Sequence, residues 1–277
     1  MNTVEILLER AKQLNGRDAF NLDLELLLCH CINKSRAWLY SHSNCFVTDS
    51  QAEQFFDLAQ RRILGIPTAY LIGRREFWSL ELEVNRHTLI PRPETELLVE
   101  WALELNLPKD AKVLDLGTGS GAIALALASE RCDWEILAID CCEKALSVAR
   151  ENAIRLGLSR VSFLKSNWYE SLSRAKCWDL IISNPPYVDT NGLTSHDLRF
   201  EPALALFSSD SGLSDLKKLI FDSRNYLKSP GFLILEHGYD QKVMVTEALE
   251  LAGFCEIETK VDLAGHERTT SGKKIAE

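Results

Sequence analysis

The stretch Val113-Leu114-Asp115-Leu116-Gly117-Thr118-Gly119-Ser120-Gly121 decides the fold class. The short apolar run Lys112 to Leu116 predicts a buried strand, and the Ala- and Leu-rich run beyond Gly121 predicts a helix. The glycines between them allow positive φ and close approach of a ligand to the backbone. Dinucleotide enzymes use a similar loop, but two details point elsewhere. The spacing is G-x-G-x-G rather than G-x-G-x-x-G, and Asp115 stands two residues before the first glycine. A carboxylate there would repel a pyrophosphate. It suits a cationic ligand, such as the amino and sulfonium groups of S-adenosylmethionine.

Strand and helix patterns alternate downstream. Strands are expected at Glu135–Ile139, Val161–Leu164, Asp179–Ser183 and Phe232–Leu235, with helices at Glu143–Leu156, near Leu213–Leu227 and at Lys242–Leu251. Cys255–Asp262 and Arg268–Ser271 are close enough in sequence to pair antiparallel. Such alternation predicts a mostly parallel sheet covered on both faces, with ligands outside the carboxyl ends of its strands. The unusual motifs lie at that edge. Asp140 ends the second strand, placed to accept from two ribose hydroxyls, although an acidic helix N-cap would also sit there. Cys141 and Cys142 are candidates for an adenine pocket. Asn184-Pro185-Pro186-Tyr187 leaves the fourth strand. Two prolines remove two backbone donors, so the exposed main-chain groups are acceptors. The Asn184 side-chain oxygen and the Pro185 carbonyl can both accept from one planar NH2 group and aim its lone pair at an incoming methyl. Tyr187 offers a flat surface to that planar group. An amide or exocyclic amino nitrogen is a poor nucleophile, so this site must act by positioning and polarisation without a His or Lys base.

Upstream, apolar spacing through about residue 75 predicts a small helical bundle, with Thr48 or Asp49 capping a helix that holds Phe55, Phe56, Leu58 and Ala59. Leu80, Leu82 and Val84 alternate with Glu81 and Glu83, and Asn85-Arg86 reads as a turn into Thr88-Leu89-Ile90. A hairpin connector is therefore expected over residues 76–90. Pro91-Arg92-Pro93-Glu94 then opens a helix through Leu105. The expected domains are 1–75, 76–90 and 91–277.

Composition sets the remaining bounds. The chain has 277 residues and a net charge of −9, with negative balance on both sides of residue 85, which disfavours a dedicated nucleic-acid binder. Among the eight cysteines there is no CxxC pair, and no histidine joins them at zinc spacing, so no metal is expected. Cys29 and Cys31, beside Leu26-Leu27-Leu28, read as buried core thiols of a reducing compartment. No targeting or membrane-spanning segment is apparent, which makes a cytoplasmic protein the expectation.

Val113 to Gly121 followed by Asn184 to Tyr187 resembles class I, Rossmann-like methyltransferases acting on planar amino or amide nitrogens. Glu76-Phe77-Trp78, Leu89 to Glu96, Arg199-Phe200-Glu201-Pro202, Leu235-Glu236-His237-Gly238 and Glu267-Arg268 narrow the resemblance. Together with the helical N-terminal segment they resemble the peptide chain release factor glutamine methyltransferases of the PrmC/HemK family, over nearly the whole length. Only Lys273 to Glu277 depart from that family's usual ending. The resemblance implies that Gly117, Thr118, Gly119, Ser120 and Gly121 hold the methionine part of S-adenosylmethionine, Asp140 its ribose, and that Trp168 lies near the adenine. It further implies that Asn184, Pro185, Pro186 and Tyr187 receive the glutamine of the Gly-Gly-Gln motif of class 1 release factors, with S-adenosylhomocysteine as co-product. The helical domain would help hold that protein substrate. Rival readings are a ribosomal-protein glutamine methyltransferase, an adenine-N6 nucleic-acid methyltransferase, and a non-catalytic binding module on the same fold.

Overall fold

The computed structural model describes residues 2–15, 21–174, 177–189 and 197–275. The chain divides into two compact units, Met1–Arg74 with Ser195–Phe200, and Arg75–Thr194 with Glu201–Glu277. In the smaller unit, apolar residues at helical spacing build helices Val4–Asn15, Asn21–Ile32 and Asp49–Ile63, with the short helices Arg36–Ser41 and Thr68–Ile72. Leu7, Leu27, Leu28 and Phe55 are fully buried in their common core. Thr48 caps Asp49–Ile63 in a reciprocal box with Gln51, which satisfies two end amides. Arg62 is buried and anchored to the Asp23 carboxylate at 2.8 Å, with the Thr68 hydroxyl donating to the other carboxylate oxygen. Cys29 and Cys31 correct the expectation of fully buried thiols: they are half-buried and pack against this core from its margin. Burial still pushes both thiols up, Cys31 to about 11, which keeps them protonated and unreactive.

The strands in chain order are β1 (Arg74–Phe77), β2 (Leu80–Glu83), β3 (Lys112–Leu116), β4 (Glu135–Asp140), β5 (Ser162–Lys165), β6 (Trp178–Ser183), β7 (Val188–Asp189), β8 (Phe207–Ser208), β9 (Leu227–Glu236), β10 (Cys255–Val261) and β11 (Glu267–Lys274). The hairpin is displaced from its expected place. It pairs β1 with β2 through Trp78 and Ser79, both at positive φ, as a two-residue turn demands. Asn85 does make a turn, but Thr88–Ile90 does not return as a strand. The Thr88 amide is spent on Asn85, the Ile90 amide on Glu201, and Pro91 has none to give.

The main sheet has the order β10-β11-β9-β6-β3-β4-β5. Strands β9, β6, β3, β4 and β5 run parallel, and β11 enters antiparallel between β9 and β10. Strand β9 begins at Leu227, earlier than the apolar run at Phe232 suggested. Helices Glu96–Glu104 and Ala122–Glu130 cover one face, and Ser214–Ser223 and Lys242–Leu251 the other. Because both faces are covered, Val113, Leu114, Leu116, Leu180, Ile181 and Ile182 are all buried irrespective of alternation. Leu116, Asp140 and Ser183 therefore end side by side, and the loops that follow them share one edge. Among the described residues no helix is long and apolar enough to cross a membrane.

Candidate active site

The glycine loop is stitched to the end of β4 before any ligand is considered. The Gly117 and Thr118 amides both donate to the Ile139 carbonyl, at 2.8 and 2.9 Å. Gly117 lies at φ 76°, and a Cβ there would meet the Trp168 ring at 3.3 Å. Gly121 lies at φ 88°, and a Cβ there would meet Leu125 Cδ1 at 2.9 Å. The positive φ at both positions favours glycine, and the neighbouring side chains would have to shift to admit a Cβ. Beneath the loop, Asp115 is wholly buried and accepts from Thr118 Oγ1 at 2.6 Å. Burial pushes its carboxyl up to about 7, and Oδ1 has no hydrogen-bond partner among the described residues. Asp140 receives the Gly119 amide on Oδ2 at 2.9 Å and the Cys142 amide on Oδ1 at 2.8 Å. Burial raises its pKa, and these two amides oppose the rise. The helix N-cap is Cys142 rather than Asp140, and each Asp140 oxygen keeps a second lone pair, so holding these two amides and accepting from a ligand are compatible.

One cavity opens at this edge. Gly117, Gly119, Asp140, Trp168, Asn184 and Pro186 all line it, as do Cys141 and Cys142. Asp115, Thr118, Ser120, Gly121, Pro185 and Tyr187 are not in its wall. The first four and Pro185 are buried. Trp168 stands at φ 51°, and its Nε1 donates to Asp215 Oδ1 at 3.0 Å. Asp215 in turn accepts from Ser208 Oγ and returns its own amide to the same oxygen. Asp215 was missed by the sequence reading, as was Asn152. The buried Asn152 Nδ2 donates to the Glu83 and Ser120 carbonyls, tying β2 to the glycine loop.

The segment Asn184–Tyr187 is held by residues from elsewhere in the chain. Asn184 Nδ2 donates to Thr95 Oγ1 at 3.0 Å, and the Tyr187 hydroxyl donates to Glu236 Oε1 at 3.0 Å. Glu236 ends β9 and is 1% exposed. Burial pushes its carboxyl up to about 7, with the Thr95 and Tyr187 hydroxyls opposing. Burial and Glu236 together push the Tyr187 phenol well above its ordinary value. Gln241 Nε2 donates to the Tyr187 carbonyl at 3.0 Å. Arg92 pairs with Glu201, whose other oxygen accepts the Ile90 amide, so this arginine braces the loop that carries Thr95. Neither Thr95 nor Glu236 had a motif of its own. The Thr95–Glu96 and Leu235–Glu236 segments entered the sequence reading only as marks of resemblance.

A parallel sheet with antiparallel β11 inserted, carrying a glycine loop, a strand-end aspartate and an Asn-Pro-Pro-Tyr turn at one edge, defines a class I, Rossmann-like S-adenosylmethionine-dependent methyltransferase. The fold is similar to that of a methyltransferase from Pyrococcus furiosus, with a TM-score of 0.55 at 19% identity over 71% of this chain and 90% of that one. Residues 5–73 match the PrmC N-terminal domain model, and residues 93–199 match the methyltransferase small domain model. The release factor glutamine methyltransferase of Shewanella oneidensis is 46% identical over 92% of this chain and 90% of its own length. That of Escherichia coli is 45% identical over 96% and 97% respectively. The chain belongs to the release factor glutamine methyltransferase family.

Proposed function

We propose that the protein methylates the side-chain amide nitrogen of the glutamine in the Gly-Gly-Gln motif of class 1 peptide chain release factors. The observation that carries this reading is the Asn184 hydrogen bond to Thr95. With its nitrogen committed to Thr95, the oxygen is the end of the Asn184 amide that can serve a substrate NH2. The Pro185 carbonyl, freed by the following proline, is the second acceptor. Two acceptors on one planar NH2 fix its plane and leave the lone pair for the incoming carbon, while Tyr187 gives that segment a flat, fixed backing.

S-adenosylmethionine supplies the electrophilic methyl and leaves as S-adenosylhomocysteine. The cavity's lining fits it: an indole face at Trp168 for the base, the Asp140 carboxylate for two hydroxyls, and the close backbone of Gly117 and Gly119 over a buried aspartate. The Asp115 carboxyl under that loop, which burial pushes up to about 7, favours a cationic end when it is ionised. Asp140 accepts from the ribose, Thr118 and Ser120 shape the loop, and Pro186 walls the passage between cofactor and acceptor. The helical unit, residues 1–75 by sequence, contributes to holding the protein substrate, with residues 76–90 as connector to a methyltransferase domain spanning 91–277. The net charge of −9 suits a cytoplasmic protein partner without direct nucleic-acid contact. Mass spectrometry of a purified release factor and of ribosomal proteins, each incubated with enzyme and S-adenosylmethionine, tests the reading. A methyl increment on the Gly-Gly-Gln peptide is expected. Its absence, with methylation of a ribosomal protein, would transfer the assignment to that substrate.

A further inference from the structure

We infer that Glu236 is a positioning residue for methyl transfer, holding the acceptor-binding segment Asn184–Tyr187 from behind through the hydroxyls of Thr95 and Tyr187. The inference rests on the acceptor role proposed for Asn184. Strands β6 and β9 pair in parallel with Ser183 opposite Leu235, so Asn184 and Glu236 are the next residues at the ends of neighbouring strands. Glu236 takes the Tyr187 hydroxyl directly, and Thr95, the hydrogen-bond partner of Asn184, is its other polar neighbour. It lies outside the cavity wall, so its effect on a substrate must pass through those two side chains.

The chemistry of a carboxylate explains why a glutamate stands there. An ionised carboxylate only accepts hydrogen bonds, whereas a hydroxyl both donates and accepts. Tyr187 donates its hydroxyl hydrogen to Glu236, and an ionised carboxylate there draws the neighbouring Thr95 hydroxyl hydrogen inward as well. Thr95 then presents a lone pair outward, and only the NH2 end of the Asn184 amide can answer it. The Asn184 oxygen is thereby turned away from Thr95 and toward the acceptor side. A neutral amide at position 236 could donate to Thr95 and reverse this polarity, letting the Asn184 amide flip. Burying a carboxylate costs free energy unless donors compensate it, and the Tyr187 and Thr95 hydroxyls oppose that cost. Arg268 favours the ionised form and Glu94 opposes it.

The experiment compares Glu236→Gln, Thr95→Val, Thr95→Ser and Tyr187→Phe for kcat and KM with a class 1 release factor, and for S-adenosylmethionine affinity by calorimetry. Glu236→Gln and Thr95→Val are expected to lower kcat on the order of 10- to 100-fold, the scale of a misplaced reacting group. Cofactor affinity should stay unchanged in both, and Thr95→Ser, which keeps the hydroxyl, should keep wild-type kcat. Tyr187→Phe should show a smaller loss, because one of the two supports remains. Wild-type kcat in Thr95→Val would overturn the inference, and so would a loss of cofactor affinity that matches the loss of kcat. Should Glu236→Gln fail to fold, Thr95→Val and Thr95→Ser decide the matter alone. A wild-type enzyme that leaves the release factor unmethylated refutes the proposed function. A wild-type enzyme that methylates it no faster than Thr95→Val refutes only the role of Glu236.

Discussion

The two sides of the cavity are built on different plans. The cofactor side is nearly continuous in sequence: β3, its glycine loop and the end of β4 supply the loop amides and Asp140 within 25 residues, with Trp168 one strand further on. Most of its contacts are backbone hydrogen bonds, such as those from Gly117 and Thr118 to Ile139. The acceptor side is discontinuous. Asn184 depends on Thr95, 89 positions away, and Tyr187 on Glu236, 49 positions away. Backbone bonds to Ile139 keep the loop of the first side in place when a non-glycine side chain is replaced. The second side is made of single side-chain links, so losing one link should remove function with little effect on fold.

The sharpest test of that contrast is Asn184→Ala. Loss of the acceptor that orients the amide should lower kcat on the order of 10²- to 10³-fold, comparable with removing one preorganised polar group from an active site. Calorimetry should find cofactor binding retained. Unchanged turnover would mean that the acceptor side does not depend on this side chain.

Stability against pH probes the buried carboxyl on each side. Burial raises Asp115 and Glu236 from ordinary values of 3.8 and 4.5 to about 7. Between the unfolded and folded values the native state holds more protons than the unfolded chain, so stability falls as pH rises from about 4 to about 7 and then levels off. Shifts of this size correspond to roughly 3–4 kcal/mol for each group, since one unit is worth about 1.4 kcal/mol. Denaturant melts of wild type and Glu236→Gln across this range should show a shallower decline in the variant. Parallel curves would mean that Glu236 ionises as freely in the folded protein as in the unfolded chain.

On the cofactor side the largest single-residue effect should come from Asp140→Ala. A hydrogen bond to a charged group is worth about 1.5–3 kcal/mol, so S-adenosylmethionine affinity should fall roughly 10- to 100-fold. The loop should persist, because its stitches to Ile139 are backbone bonds. Equal affinity would remove Asp140 from the site.

How much of this could be read in advance follows the same division. The fold class, the sheet edge and the glycine loop were legible because their determinants are local: an apolar run, glycines at fixed spacing, an aspartate closing a strand. Thr95 and Glu236 were not, because a threonine after Pro93-Glu94 and a glutamate at a strand end acquire meaning only when β6 and β9 lie side by side. The hairpin shows the opposite failure. Asn85-Arg86 has the better turn composition, yet the chain turns at Trp78-Ser79, where neither residue favours positive φ. Tertiary bonds compensate: the Trp78 amide donates to Glu96 and its indole to Glu130, both at 2.8 Å.

The smallest expected effect concerns Asp215, which, like Asn152, supports the cofactor side from a distant part of the chain. Its carboxylate accepts from the Trp168 indole and the Ser208 hydroxyl, fixing a tryptophan that stands at positive φ against the edge of the glycine loop. Asp215→Asn keeps the shape and one acceptor oxygen but cannot serve both donors as a carboxylate does. Losing one charge-assisted bond in a partly buried setting should cost about 1 kcal/mol, or roughly a fivefold loss in S-adenosylmethionine affinity, with kcat at saturation unchanged. Trp168 fluorescence should shift in the free enzyme. If kcat fell instead while affinity held, Trp168 would be acting on the acceptor side, and the division between the two halves of the cavity would have to be redrawn through it.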